Sequence, residues 1–428
     1  AVCGNIDRPG TNLLVRNAFE INPGYATASM YADPEAAAKK CTYKTLQQLQ
    51  GKEPKAEPFI GMADCDAVNR AFETGEPYPI KFGMYCGNNL MSCTSAEPKR
   101  WHDAILKSLE FCFTIDTFMT PSAQASCDVF LPLAASAERE GTTFTHYGAS
   151  MGIKGFSQAA TRTGEALTDA EACFKLGKAL NPQWWVDYDT VEDFINHLRL
   201  SNKFKFRDVA PAVYVQDEVT YRKNECGKLR SDGKVGFNTP TGRIELYSTI
   251  FQQFDDDPLP YYDEPQYSPV NTPELLEEYP YVLTTGARPY AFFHSENRQI
   301  PFCRELNPDP IVEVNPKTAK KLGIADGQWC EIWNQFGSCK QKAKVTETVD
   351  EKTIHCQHAW WFPEEEGSEP NLYGNWRSNV NNLVPNFHFG KLGFGAPFKC
   401  LLCNIKPIEE CLDTDMNEVW TKFKREDQ

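Results

Sequence analysis

The chain has no apolar run of membrane-spanning length, which excludes an integral helical protein. It has no Lys/Arg cluster and a net charge of −14, so nucleic acid is a poor partner. No set of cysteines stands at zinc-site spacing, and no four thiolates stand at iron–sulfur spacing. The opening residues, AVCGNIDRPG, lack the basic and apolar regions of a secretion signal. They read as an internal loop, so the expectation is a chain that begins within a larger polypeptide. The compartment, bacterial cytoplasm or periplasm, stays open because an export signal would lie upstream.

What is present is an ordinary globular composition, 41% hydrophobic and 24% charged. A length of 428 residues implies roughly two or three domains. The 16 cysteines are irregularly spaced in a chain too large to need a disulfide scaffold. Cys86, Cys112, Cys330 and Cys356 lie in strand-like apolar runs and are expected as small buried hydrophobes. That usage suits a reducing cytosol or an anaerobic organism. The lone CxxC, Cys400 to Cys403, lies in an apolar run and reads as structural.

Residues 1–200 read as a partial α/β dinucleotide-binding domain. Asp64 is placed to cap a helix reaching Gly75, and residues 79–86 read as a strand. Trp101, Ile105 and Leu109 form one helical stripe, followed by strands at 111–115 and 129–131. Strand, helix, strand at this spacing is a parallel α/β unit. Residues 160–200 read as helical, with capping boxes at Thr168–Glu171 and Thr190–Asp193. Residues 201–278 read as a crossing segment and linker, with a turn and a short strand at 236–247. Residues 279–428 are β-rich, with strands at 328–333, 340–345 and 353–358. One helix interrupts them, with Asn315 as N-cap, Pro316 at N1 and Gly323 beyond its end. A compact β-barrel with an inserted helix is the expected form.

Ligands of open α/β sheets sit beyond the carboxyl ends of the strands. Here those ends are Gly87-Asn88-Asn89, the run from Asp116 to Thr120, and Pro132 to Glu138. The Asp116 carboxylate suits the paired N–H donors of guanine, and Asn88 offers both donor and acceptor. Thr120 and Ser122 suit phosphate or ribose oxygens. Strands also end in Asn, Asp and Gly for structural reasons alone, so both readings stand. In the β-rich part, Gly286, Arg288, His294 and Ser295 follow a strand and suit a pyrophosphate or the polar edge of a pterin. Arg298 reads equally as a phosphate contact or a surface ion pair. Trp360 and Trp361 read first as core. Asn371 and the WRSNVNNL loop, with Asn379 at its centre, read as cofactor contacts or as simple turn residues.

Three runs in the β-rich part, YVLTTGARPYAFFHSENRQIP, VEVNPKTAKKLGIADGQWCEIWNQFGS and HAWWFP, together resemble the C-terminal domain of bis(molybdopterin guanine dinucleotide) oxidoreductases, the dimethyl sulfoxide reductase family. Upstream, IKFGMYCGNNLMS resembles the family's strand and Gly-Asn-Pro turn, with Asn89 in place of proline. FTIDTFMTPSAQASCDVFLPLAASAEREGT resembles its Asp-x-Phe-x-Thr and Glu-x-x-Gly-Thr elements, with Cys127 in place of alanine. GNIDRPGTN and GFNTPTGRIEL resemble two further family motifs, in the family's order.

The resemblance implies an incomplete doubly wound α/β domain followed by a C-terminal β-barrel of the double-psi type. It implies a molybdopterin guanine dinucleotide carrying Mo or W, held in the intact enzyme. Contacts are implied at Gly87, Asn88, Asp116, Thr120, Glu138, Gly286, Arg288, His294, Ser295, Asn371, Asn379 and Lys399. No catalytic residue and no metal ligand is assigned to the chain. Both the metal ligand and a [4Fe-4S] site are expected in an N-terminal part of the catalytic subunit, with an iron–sulfur electron-transfer subunit as a further partner. The WRSNVNNL and HAWWFPEE segments lean toward the branch of acetylene hydratase, sulfur-compound reductases and catechol dehydroxylases. The alternative is a non-catalytic nucleotide- or cofactor-binding module.

Overall fold

The computed structural model describes residues 3–14, 65–76, 78–145, 152–196, 205–211, 213–216, 220–230, 232–237, 239–249, 252, 257–286, 289–386 and 396–423. Asp64 and Arg288 lie outside the described residues. The chain forms two compact units, 1–62 with 131–261, and 63–130 with 262–428. This partition cuts across the expected divisions near 200 and 278. The early α/β segment 63–130 clusters with the barrel rather than with the residues that follow it.

In the second unit, helix α1 (Cys65–Thr74) precedes strand β1 (Phe82–Cys86). Helix α2 (Pro98–Ser108), strand β2 (Phe111–Asp116), helix α3 (Pro121–Ser126) and strand β3 (Val129–Pro132) follow. β1 and β2 are parallel, with Phe82 opposite Phe111 and Cys86 opposite Ile115. Pro98 opens α2, and Trp101, Ala104 and Ile105 form its buried stripe. Trp101 meets the Phe72 ring of α1 edge-on at 6.2 Å. Cys86 is exposed rather than buried as expected, because the residues at positions 82, 84 and 86 share the open face of β1. Cys112, Cys330 and Cys356 are buried.

The barrel is closed by six strands in the order β10-β8-β11-β7-β12-β9. They are β7 (Tyr281–Thr285), β8 (Ile311–Val314), β9 (Trp329–Asn334), β10 (Gly337–Val345), β11 (Thr353–Cys356) and β12 (Leu401–Pro407). Alternation along β7 turns Tyr281, Leu283 and Thr285 inward. Val312, Val314, Ile332, Ile354, Cys356, Cys403 and Ile405 fill the interior with them. Helix α5 (Pro301–Leu306) lies between β7 and β8, and helix α6 (Pro316–Leu322) between β8 and β9. α6 has the expected Asn315 cap and a left-handed Gly323. Helix α7 (Met416–Phe423) follows the last strand. β11 stops at Cys356, short of the expected 358, and the chain turns at Ala359 with φ +58°.

Side-chain amides stitch the α/β segment to the barrel. Asn379 Nδ2 donates to Met91 O at 3.0 Å, and Asn381 Nδ2 donates to Cys93 O at 3.1 Å and Ser95 O at 2.9 Å. Ser92 Oγ donates to Asn375 Oδ1 at 2.8 Å, and Glu97 N to Val384 O at 2.8 Å. Each such bond adds only about 1 kcal/mol net, yet leaving one buried group unpaired costs about 1–3 kcal/mol. That asymmetry fixes the register of the joint.

In the first unit, β4 (Gly141–Thr145), β5 (Gly152–Phe156) and β6 (Tyr214–Gln216) form an antiparallel sheet. A helix at Asp169–Leu180 has the expected Thr168–Glu171 capping box, and a short one at Val191–Phe194 has that of Thr190–Asp193. The rest of the region expected as helical holds a 3₁₀ turn at Pro182–Trp184. Among the described residues of 236–247 the expected strand does not form. Phe237 N bonds to Gly242 O at 2.8 Å, closing a turn between two left-handed glycines, 236 and 242. The Glu245 side chain is committed to Thr241 and Thr249.

Candidate functional site

Two groups of predicted residues come together in the second unit. The first lies at the carboxyl ends of β1 and β2. Gly87 takes φ +54° and donates its N–H to Ile115 O at 3.0 Å, which turns Asn88 away from the sheet. Asp116 ends β2 and accepts from Thr117 N at 2.7 Å. Thr120 is buried and caps α3 through Ala123 N. Its hydroxyl oxygen therefore accepts the capping bond of the helix. Ser122 Oγ receives Met91 N at 2.8 Å and donates to Asn89 Oδ1 at 2.9 Å. Asn89 Nδ2 is then left buried with no partner among the described residues.

The second group surrounds the loop after β7. Gly286 has φ +97°, and a Cβ there would lie 3.8 Å from Lys399 Cε. The two residues share one corner, held by Thr285 Oγ1 donating to Phe398 O at 2.9 Å. Further along, His294 sits at φ +52°, and its Nδ1 meets His358 Nε2 at 2.9 Å. Trp361 Nε1 donates to Ser295 O at 3.0 Å, so this buried tryptophan also fixes the loop. Cys93, six residues beyond Gly87, lies beside Ser295, so the two groups adjoin there. Burial pushes the Cys93 thiol up, while Ser295 and the nearby Arg298 charge pull it back.

Arg298 is neither a surface ion pair nor an exposed phosphate contact. It is 1% exposed, with its guanidinium 4.7 Å from both the Phe292 and Trp360 ring centroids. Its Nη1 donates to His294 O at 2.6 Å and its Nη2 to His358 O at 3.4 Å. Among the described residues no carboxylate pairs with it. Burial, with Arg304 alongside, presses it down to about 9. A run of cations and rings continues from there, through Trp360, Arg304, Phe362 and Arg377. Arg304 and Arg377 have carboxylate partners in Glu364 and Glu365. The spacing of single motifs gave no sign of this stack, because its members are far apart in sequence.

Two predicted amides are committed elsewhere. Asn379 uses Nδ2 on Met91 and Asn375, and its Oδ1 accepts Asn381 N at 3.0 Å. Asn371 Nδ2 donates to Glu365 Oε2 at 3.1 Å and Glu366 O at 3.0 Å. They hold loops and the joint. Glu138 belongs to the first unit, where it is buried and accepts from Ala135 N at 2.9 Å and Thr163 Oγ1 at 2.5 Å.

His355, missed by sequence reasoning, lies beside the Gly286–Lys399 corner. Its Nδ1 meets Thr284 Oγ1 at 2.7 Å. Burial lowers its pKa, with Lys399 acting the same way and Glu313 opposing. A histidine depressed in the fold binds a proton more readily when unfolded. Stability is therefore full above the ordinary histidine range and falls as pH drops through it toward the folded value. Urea titrations of native protein and His355→Gln across that window should show the native slope flattened in the variant. Equal slopes would count against the assignment.

The arrangement fits a dinucleotide with a pterin. It offers amide and carboxylate groups at the strand ends, an unsatisfied buried donor at Asn89, and a buried cation lacking a carboxylate beneath the His294–Ser295 turn. Among the described residues, no group of three or more His, Cys, Asp or Glu could hold a metal ion.

Comparison with known proteins agrees with this chemistry. Residues 281–400 match the molydopterin dinucleotide binding domain. Acetylene hydratase of Syntrophotalea acetylenica is 30% identical over 306 residues, 72% of this chain and 40% of that protein. Dopamine dehydroxylase of Eggerthella lenta is 27% identical over 410 residues, 77% of this chain and 39% of that protein. The chain thus spans about two-fifths of the length of these relatives. The solved acetylene hydratase from Pelobacter acetylenicus shares the fold, with a TM-score of 0.74 at 24% identity, over 86% of this chain and 51% of that one. A barrel that matches the dinucleotide-binding domain, joined to a strand-end site in the same compact unit, places the chain in the molybdopterin oxidoreductase family of dimethyl sulfoxide reductase, as a cofactor-binding C-terminal part of its catalytic subunit.

Proposed function

We propose that the chain forms one wall around a molybdopterin guanine dinucleotide and that the metal is ligated by polypeptide outside it. The observation that carries this is that the Gly87–Asn89 strand end and the His294–Ser295 turn lie in one compact unit, with Asn379 tying Met91 into the seam and Trp361 holding Ser295. In this reading Asn88 and Asp116 take the guanine end, and Gly286, Arg288 and Lys399 take phosphate. His294 and Ser295 meet the pterin edge, held from below by Arg298 and Trp361. The bound group supplies two-electron redox or oxygen-atom chemistry at Mo or W, while protein groups orient it and tune its charge. Asn89 Nδ2 would give the cofactor a hydrogen-bond donor that the fold itself leaves unused.

The finer fold reading also belongs here. Parallel β1 and β2 with an intervening helix support a doubly wound domain completed by other strands. The mix of parallel and antiparallel neighbours in the barrel supports the double-psi type. The [4Fe-4S] group and an electron-transfer subunit are assigned to the intact enzyme. Several relatives carry names of subunits, including the F420-dependent formate dehydrogenase subunit alpha of Methanocaldococcus jannaschii. The acetylene hydratase and dopamine dehydroxylase relatives support the branch of acetylene hydratase, sulfur-compound reductases and catechol dehydroxylases over that of formate dehydrogenases.

The isolated 428-residue chain is expected to be inactive. Purified chain assayed with a reduced viologen donor should show no turnover. The longer protein should contain Mo or W and release GMP on hydrolysis. Turnover by the isolated chain, or zinc without Mo, W or guanine nucleotide in the longer protein, would overturn the reading.

A further inference from the structure

The segment between β7 and β8 exposes more apolar surface than a free face requires. Tyr290 is 111% exposed, Phe302 66%, Leu306 68% and Ile300 38%. Phe302 and Leu306 stand one turn apart on α5 and so share a face, while Arg304 of the same helix is fully buried. Tyr290 and Leu306 also rim one cavity of about 570 Å³, together with Pro289, Ala291 and Ile311. Its lining includes Lys344, Glu313 and His355, part of a polar row that continues to Thr284 outside the cavity. Lys344 lies opposite Glu313, Glu313 opposite His355, and His355 opposite Thr284. Lys344 Nζ reaches Glu313 Oε1 at 3.2 Å. His355 Nε2 is buried with no partner among the described residues.

An apolar, aromatic rim around a cavity whose lining holds an unsatisfied hydrogen-bonding atom has the anatomy of a protein interface. A small ligand in the cavity would leave Ile300 and Phe302 uncovered, since neither lines it. The same loop carries His294 and Ser295, assigned above to the pterin edge, so polypeptide that closes over that edge would adjoin this face. Relatives carry that additional length, because the chain spans only 39–40% of them.

We propose that the face formed by Tyr290, Ile300, Phe302 and Leu306, with the cavity behind it, docks the polypeptide that supplies the rest of the catalytic subunit. The incoming segment places apolar side chains on the rim and one hydrogen-bonding group at His355 Nε2. This inference rests on the reading under Proposed function for its choice of partner.

Hydroxyl-radical footprinting with mass spectrometry tests it, comparing the 428-residue chain with the protein that includes the remaining length, covalently or as a neighbouring subunit. Tyr290, Phe302 and Leu306 should label strongly in the chain alone and at least several-fold less in the larger protein. In the larger protein, the Phe302→Glu/Leu306→Glu double variant should restore labelling of Tyr290. Equal labelling in both proteins overturns the proposal. So does protection already present in the chain alone, whether independent of concentration, meaning cover from within the chain, or rising with it, meaning a second copy. Metal and GMP analysis of the same larger protein separates the two claims. Cofactor present with the face still labelled sinks the docking inference alone. Cofactor absent with the face protected sinks the cofactor reading and leaves the docking intact.

Discussion

Replacing Glu364 with alanine is expected to destabilise the second unit by about 3–5 kcal/mol, because it strands a buried charge. Arg304 is fully buried, and Glu364 grips it with two bonds at 2.7 and 2.8 Å. Without the carboxylate, Arg304 keeps Pro308 O at 2.9 Å and Thr414 Oγ1 at 3.2 Å, neither of which carries charge. The loss is sharpened by Arg298, a second buried cation next to it with no carboxylate among the described residues. Urea denaturation followed by tryptophan fluorescence measures the cost. The double variant Arg304→Met/Glu364→Ala should recover most of it, because an apolar side chain of similar volume needs no counter-charge. A Glu364→Ala midpoint equal to native would show that the pair is not buried as described.

Trp360→Ala should be comparably damaging, by about 3–5 kcal/mol for the buried aromatic volume. The tryptophan is fully buried and meets Phe292 edge-on at 5.5 Å. It also lies 4.7 Å from the Arg298 guanidinium and 5.6 Å from that of Arg304. Each cation–ring contact adds about 0.5–2 kcal/mol, more when desolvated. Trp360→Phe keeps a ring in place and should lose much less. The effect should reach the proposed site, since Arg298 ties the His294 and His358 carbonyls together. Imidazole nitrogen NMR of the His294–His358 contact should change in Trp360→Ala and persist in Trp360→Phe. An unchanged spectrum in the alanine variant would separate the stack from the turn it is argued to hold.

Much of the fold was legible because its signals are local. Asn315, Pro316 and Gly323 bound α6, Thr168 and Glu171 cap their helix, and the alternating residues of β7 and β9 give barrel strands. The strand-end residues Gly87, Asn88 and Asp116, and the turn at His294–Ser295, were legible as polar punctuation after apolar runs. The amides at Asn371 and Asn379 were open to two readings, because their type says only that they will bond and not to what. Asn379 finds Met91, 288 positions away. The same limit applies to Arg298. Sequence left it between a phosphate contact and a surface ion pair, whereas the fold buries it against the adjoining rings of Phe292 and Trp360.

The sequence by itself determined the two architectures, the parallel α/β unit and the closed barrel, and the chemistry of the groups at their edges. Periodicity, caps and turn residues act over a few positions, so they survive in the linear order. Only the tertiary structure decided that the segment 63–130 packs with the barrel, that amides form their seam, and that Cys93 comes to lie beside Ser295. It also decided that a guanidinium would be buried against two adjoining rings next to that turn. Those outcomes depend on which distant groups satisfy one another's hydrogen bonds and charges, and that pairing is fixed only when the chain closes.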